Sequence, residues 1–233
     1  MPSTKPEKHL LLFGASRGLG LAIAEEYLKL GWSVVATARQ AAGTALHKLA
    51  EQAEGRLEVE RVDIAEPSQV AALHRRLLGR RFEVLLINAG VTNDAKEVAD
   101  VSTEEFVRVM VTNALSPMRV IESLQDLVPA DGMIGVMSSG QGSIGNNTKG
   151  GAEIYRGSKA ALNMFMRSYA ARHAGESRAL LLMAPGWIRT ALGGPNATYS
   201  IEESIPKIVE VLLSRQGKPG LHYLDREGRV VPW

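Results

Sequence analysis

Tyr155 and Lys159 stand four residues apart, so on a helix the phenol and the ammonium share one face and can act on one ligand. A phenol can hand over a proton, and a nearby cation favours the phenolate left behind. Ser139, in a Ser138-Ser139 pair directly after the apolar run Met133–Met137, adds a hydroxyl that can meet charge developing on a substrate oxygen. Taken alone, a Tyr and a Lys at this spacing are commonly an ordinary surface pair. Asn113, inside an otherwise helical stretch, is placed to bind a water that relays protons, and a polar helix residue satisfied locally accounts for it equally well.

A second set of residues concerns phosphate. Gly14, Ala15, Ser16, Arg17, Gly18, Leu19 and Gly20 form a glycine-rich turn between an apolar run and a stretch of helical period. Glycines there allow a tight turn and close backbone approach to a pyrophosphate, and the helix that follows aims free N–H groups and its positive dipole end at it. Glycine trios occur in ordinary turns as well, so the location carries more weight than the letters. At the end of the next apolar run, where an acid would take the ribose hydroxyls of NAD, stands Arg39. Arg39 and Arg17 can clamp a 2′-phosphate, which favours NADP(H); the alternative is that both sit on a solvated edge.

These residues need a frame, and the chain alternates short apolar runs with amphipathic stretches in a βαβ rhythm. Strands are predicted at His9–Phe13, 33–37, 57–62, 82–87, Met133–Met137, 178–183 and 221–224. Helices are predicted at 19–30, 41–52, 67–78, 102–115, 153–174 and 201–213, with Ser102 and Glu105 at capping-box spacing. The expected fold is α/β: one Rossmann-like domain over 1–233, a doubly wound parallel sheet with helices on both faces. The glycine turn, Asn88-Ala89-Gly90 and Ser138-Ser139 all fall at carboxyl ends of strands, where such sheets bind ligands.

In this order the glycine turn, Asn88-Ala89-Gly90, Asn113, Ser138-Ser139, Tyr155 to Lys159 and Pro185-Gly186 closely resemble the short-chain dehydrogenase/reductase family, over essentially the whole chain. The stretches 143–151 and 155–163, and Pro232-Trp233, look like its C-factor and sniffer-like carbonyl reductase branch. The resemblance implies hydride transfer from NADPH to an aldehyde or ketone, with Ser139, Tyr155 and Lys159 as the reactive trio and Asn113 supporting a water-linked proton path. It implies that Asp63 and Ile64 take the adenine side, that Asn88, Ala89 and Gly90 line the ribose side, and that Pro185, Gly186, Ile188 and Thr190 surround the carboxamide. Phe13 departs from the small hydroxyl residue many relatives carry, Ile87 replaces a frequent asparagine, and the interval from Ser139 to Tyr155 is long. Rival functions are an NADP(H)-binding sensor or C-factor-like signalling protein with little catalysis, and a 3-oxoacyl-thioester reductase.

Trp187, Ile144 and Met183 can wall an apolar substrate pocket beside Ser139 and Tyr155, under a mobile lid over about 187–205 that includes Gly193 to Tyr199; Met183, within a strand, reads better as core. A net charge of +2, from 27 Lys and Arg against 25 Asp and Glu spread without blocks, demands no nucleic acid. No cysteine is present, so there is no disulfide framework and no thiolate nucleophile, and the five histidines lack ligand spacing, so no metal is assigned. Met1 to Lys8 is polar and the apolar run after it is too short for a signal or membrane segment, so the expectation is a cytoplasmic protein with no membrane partner. A homodimer or homotetramer is expected, paired through the helices at 102–115 and 153–174, as in relatives.

Overall fold

Alternate residues of each apolar run face opposite sides, so a run that is apolar throughout must be covered on both faces. The computed structural model, which describes residues 7–93 and 97–233, shows that arrangement. The sheet comprises β1 His9–Phe13, β2 Ser33–Ala38, β3 Leu57–Arg61, β4 Val84–Ile87, β5 Met133–Met137, β6 Ala179–Ala184 and β7 Gly220–Asp225. All seven strands are parallel, in the order β3-β2-β1-β4-β5-β6-β7. The helices are α1 Gly18–Lys29, α2 Ala45–Gln52, α3 Pro67–Leu77, α4 Thr103–Met110, α5 Ser116–Leu124, α6 Glu153–Arg172 and α7 Ile201–Arg215. The polar opening, as far as Pro6, lies outside the described residues.

Leu10 and Leu12 point into one core with Ile23 and Tyr27 of α1 and Ile208 and Leu212 of α7. Leu11 and Phe13 point into the other, with Leu73 of α3, Ile121 of α5 and Met166 of α6. Each such side chain contributes about 1.5–3 kcal/mol by leaving water. Ile87, 1% exposed, belongs to the second core, so apolar packing occupies the place of the asparagine found in many relatives. The strand order reverses at β1, whose neighbours are β2 and β4, and the crevice this opens lies at the carboxyl ends of β1 and β4.

Two elements differ from the reading by period. The second helix begins at Ala45 rather than 41, because Gly43 adopts φ +76° and Thr44 takes the extended N-cap position. The helix expected to stop at 115 continues to Leu124 through a π-helical turn at Val111–Leu115. Pro117 suggests a stop, since it has no N–H to give the carbonyl four residues back. The wider turn absorbs that interruption, and the carbonyl left without its usual helical partner belongs to Asn113.

Candidate active site

The glycine turn packs directly on the end of β4. Gly14 has φ +82°, and a Cβ placed on it would lie 2.6 Å from the Ala89 Cα; one on Gly20 would lie 2.1 Å from the Gly14 oxygen. Only glycine fits either place. The Asn88 side chain donates to the Gly14 carbonyl at 2.7 Å, and the amides of Asn88 and Ala89 donate to the Phe13 carbonyl at 3.0 Å. Thr37, buried on β2, accepts the Gly14 N–H through its hydroxyl at 3.0 Å. Sequence reasoning missed this contact, since Thr37 and Gly14 lie on different strand ends.

α1 begins at this turn with Arg17 in the extended N-cap position and no side-chain cap, so its first N–H groups face the crevice. Arg17 is exposed and so is Arg39, the residue following β2; neither has a polar partner among the described residues. A side-chain-free cradle, a helix N-terminus and two unpartnered guanidinium groups fit a dinucleotide whose ribose carries a phosphate. Asp63 accepts the Ala65 N–H at 2.9 Å through one carboxylate oxygen, while Gln69 takes the Asp63 N–H at 2.9 Å. Ile64 and Ile188 turn their side chains into the two cores, which leaves only their backbone for a ligand. A Cβ on Gly18 would sit 3.7 Å from Thr190, so the chain after β6 closes over the turn; within it Pro185 is buried and Gly186 has φ +89°.

Ser139 follows β5 in extended conformation and its hydroxyl accepts the Gln141 N–H at 3.1 Å. The same hydroxyl lies beside the phenol of Tyr155, which is half-buried in the first turn of α6. Burial pushes the Tyr155 phenol up from its usual value, and the nearby Ser139 hydroxyl draws it part of the way back. One turn along, Lys159 is 3% exposed and donates to the Met137 carbonyl at 2.8 Å. Burial without an acidic partner lowers its ammonium to about 8. Its nitrogen lies 5.8 Å from the Tyr155 ring centre and 3.6 Å from where a Gly90 Cβ would be, so it stands between the phenol and the end of β4. The expected lowering of the phenol by Lys159 is not what governs this site; desolvation dominates.

The Asn113 side chain is committed elsewhere. Its amide nitrogen donates to the Val91 carbonyl at 2.8 Å and to Ser158 at 2.9 Å, and its oxygen accepts the Val91 N–H at 2.8 Å. It therefore ties the strand-end loop after β4 to α6.

Ile144 at 76% and Trp187 at 53% are well exposed, whereas Met183 is fully buried. The Trp187 indole donates to the Gly193 carbonyl at 2.8 Å, and the Gly193 N–H donates to Thr190 at 3.0 Å. Arg226 stacks 3.4 Å over the Tyr199 ring and bonds Ser204 at 3.0 Å, anchoring the far side of this segment to α7. Two contributors escaped sequence reasoning because nothing local signals them. They are Tyr223 of β7, whose hydroxyl donates to the Ser139 carbonyl at 2.5 Å, and Asn163 of α6, which accepts from Ser138 at 2.6 Å.

A parallel sheet reversing at β1, a phosphate-fitting turn there, and a hydroxyl, a phenol and an amine converging beside it define a dinucleotide-dependent oxidoreductase fold. Residues 8–198 match the short chain dehydrogenase family, and the chain belongs to that family. It is 57% identical to a short-chain dehydrogenase/reductase from Burkholderia multivorans crystallised with bound NADP, covering 98% of this chain and 100% of that one with a TM-score of 0.96. A carbonyl reductase from Pseudomonas aeruginosa PAO1 in complex with NADP is 33% identical over 97% of this chain and 100% of its own, with a TM-score of 0.91. The C-signal protein of Myxococcus xanthus is 34% identical over 153 residues, 65% of this chain and 92% of that protein.

Proposed function

We propose that the protein is an NADPH-dependent carbonyl reductase that converts an aldehyde or ketone to an alcohol, with Tyr155 as the proton donor. The observation that carries this is the juxtaposition of the Ser139 hydroxyl and the Tyr155 phenol, with buried Lys159 beside them, at the strand ends that also carry the phosphate-fitting turn. The B. multivorans and P. aeruginosa relatives with bound NADP support the cofactor.

In this reading Gly14 to Gly20 and the α1 N-terminus hold the pyrophosphate, Arg17 and Arg39 hold the 2′-phosphate, and Asp63 meets the adenine. Asn88 to Gly90 flank the ribose. The cofactor, when bound, supplies the hydride. Ser139 donates to the carbonyl oxygen and orients it, and Tyr155 gives that oxygen its proton as charge develops. Lys159 has two N–H bonds left after Met137 and directs them at the ribose hydroxyls and at the water path leading to the Asn113 carbonyl, by which Tyr155 is reprotonated. Ile144 and Trp187 offer apolar walls, and the 187–205 segment closes over the substrate.

The test is NADPH absorbance decay with a panel of aldehydes, ketones, quinones and a 3-oxoacyl thioester. Consumption with simple carbonyl compounds is expected. NADPH binding with no consumption on any of them favours a sensing or signalling role, and turnover confined to the thioester favours the acyl branch of the reaction. Cofactor choice has its own test: Arg39→Asp is expected to lower the ratio of kcat/KM for NADPH over NADH by about 10²-fold, since one charge-assisted bond contributes about 1.5–3 kcal/mol and a new carboxylate repels the phosphate. An unchanged ratio removes Arg39 from the clamp.

No helix among the described residues is long and apolar enough to cross a membrane. A cytoplasmic location and a homodimer or homotetramer complete the proposal. Phe106 and Val107 of α4, Leu115, and Met164 and Phe165 of α6 are exposed on helices that pack against each other, a surface suited to a second copy. Phe165→Glu is expected to shift the mass measured by light scattering towards the monomer; an unchanged mass places the pairing surface elsewhere.

A further inference from the structure

We propose that Tyr223 is a positioning residue for Ser139, and that Trp233 seated behind it props this contact and fixes the loop wall at Gly145. The inference rests on the reductase reading for its effect on turnover, while the geometry it claims stands separately. β7 is hydrogen-bonded only to β6, with β5 one strand further on, yet the Tyr223 hydroxyl crosses to the Ser139 carbonyl at 2.5 Å. That carbonyl also accepts the Gly142 N–H at 2.9 Å, so both its lone pairs are occupied. The peptide leaving Ser139 cannot rotate without breaking one of these bonds, and rotation there would swing the hydroxyl away from Tyr155.

Tyr223 is 2% exposed, and burial pushes its phenol up, which keeps it a neutral donor. Asn163 and Ser138 lie close to this phenol; Ser138 donates to the Asn163 side-chain oxygen at 2.6 Å, and Asn163 donates to the Gly142 carbonyl at 3.2 Å. The strand end at 138–142 is thereby held from α6 and from β7 at once. A rigid support behind a reacting group matters because a misplacement of about 1 Å can cost about 10²-fold in rate.

What places Tyr223 is the segment that follows it. Val231 donates its N–H to the Tyr223 carbonyl at 2.9 Å, and Leu224 bridges Val230 in antiparallel sense, so the chain folds back along β7. The turn delivers Trp233 to the Tyr223 ring, 5.4 Å between centres, with Arg167 of α6 4.8 Å from the indole. The Trp233 backbone oxygen accepts the Gly145 N–H at 2.9 Å, and a Cβ at Gly145 would lie 3.2 Å from that oxygen. Gly145 adjoins Ile144, the exposed apolar residue read above as a wall of the substrate site. A buried Tyr223 and a more exposed Trp233 thus link the geometry of a reacting hydroxyl to the wall of the substrate site.

Tyr223→Phe tests this with little disturbance, because the ring stays against Trp233 and Gly142 still serves the Ser139 carbonyl. Two readouts are taken on the full chain with NADPH present. Amide hydrogen exchange at Gln141 and Gly142 is expected to quicken about tenfold, the effect of one lost neutral hydrogen bond, with no change at Ile134 to Val136 in β5. The kcat is expected to fall about tenfold, with the NADPH dissociation constant and the carbonyl KM within about twofold of the parent. Trp233→Ala is expected to quicken exchange at Gly145 and to raise KM more than it lowers kcat. Unchanged exchange at Gln141 and Gly142 overturns the proposal, as does quickened exchange throughout β5, which is general destabilisation, or an unchanged kcat in an enzyme that turns over. If the parent protein reduces no carbonyl compound, the reductase reading fails, and local exchange at Gln141 and Gly142 alone still decides whether Tyr223 holds Ser139.

Discussion

Tyr155→Phe is expected to lower kcat for carbonyl reduction by at least about 10²-fold while leaving the NADPH dissociation constant nearly unchanged. The substitution removes one oxygen and keeps the half-buried ring, so the cleft retains its shape. It leaves Ser139 to meet the oxyanion alone, without a proton to give. The same argument sets the pH dependence. Because burial holds the Tyr155 phenol above its usual range, the donor stays protonated through neutral pH, so reduction by the parent is expected to be flat there. Alcohol oxidation, which needs the phenolate, is expected to rise with pH across the same interval. Steady-state kinetics in both directions checks the slopes and the variant together; retained turnover in the variant removes Tyr155 from the chemistry.

Lys159→Met is expected to cost at least about 10²-fold in kcat/KM and, unlike the tyrosine variant, to weaken NADPH binding as well, because one amine is asked to serve the ribose and the charge beside Tyr155. It has a second consequence in the cofactor-free protein. The folded chain releases the Lys159 proton near pH 8, whereas the unfolded chain keeps it to the usual 10.5. Between those values the unfolded state binds more protons, so raising the pH favours the folded state. The difference amounts to roughly 3 kcal/mol when complete, on the order of one pKa unit per 1.4 kcal/mol. Urea unfolding at pH 7.5 and at pH 10 is expected to show this rise in the parent relative to Lys159→Met. Parallel pH curves for the two proteins would mean that Lys159 is not desolvated in the folded chain.

Asn113 illustrates how far residue type can lead. Its position inside a helix was legible. That the helix runs on through a π turn was not, because a proline inside a period reads as an end unless neighbouring packing sustains it. The structure then commits the amide side chain to Val91 and Ser158, where it braces the loop after β4 against α6.

By itself the sequence determined the alternation of strands and helices, the phosphate turn between β1 and α1, the absence of an acid after β2, and the shared face of Tyr155 and Lys159. Each of these is a local matter of period, backbone freedom or spacing within one element, and local patterns are written in neighbouring residues. Only the tertiary structure decided that Thr37 serves Gly14, that Tyr223 reaches Ser139 over 84 residues of chain, and that Trp233 seals Gly145. Such contacts arise when strands distant in sequence become neighbours in a sheet ordered β3-β2-β1-β4-β5-β6-β7. A lone hydroxyl on Thr37 or Tyr223, or a backbone carbonyl at Trp233, leaves no period and no spacing to read.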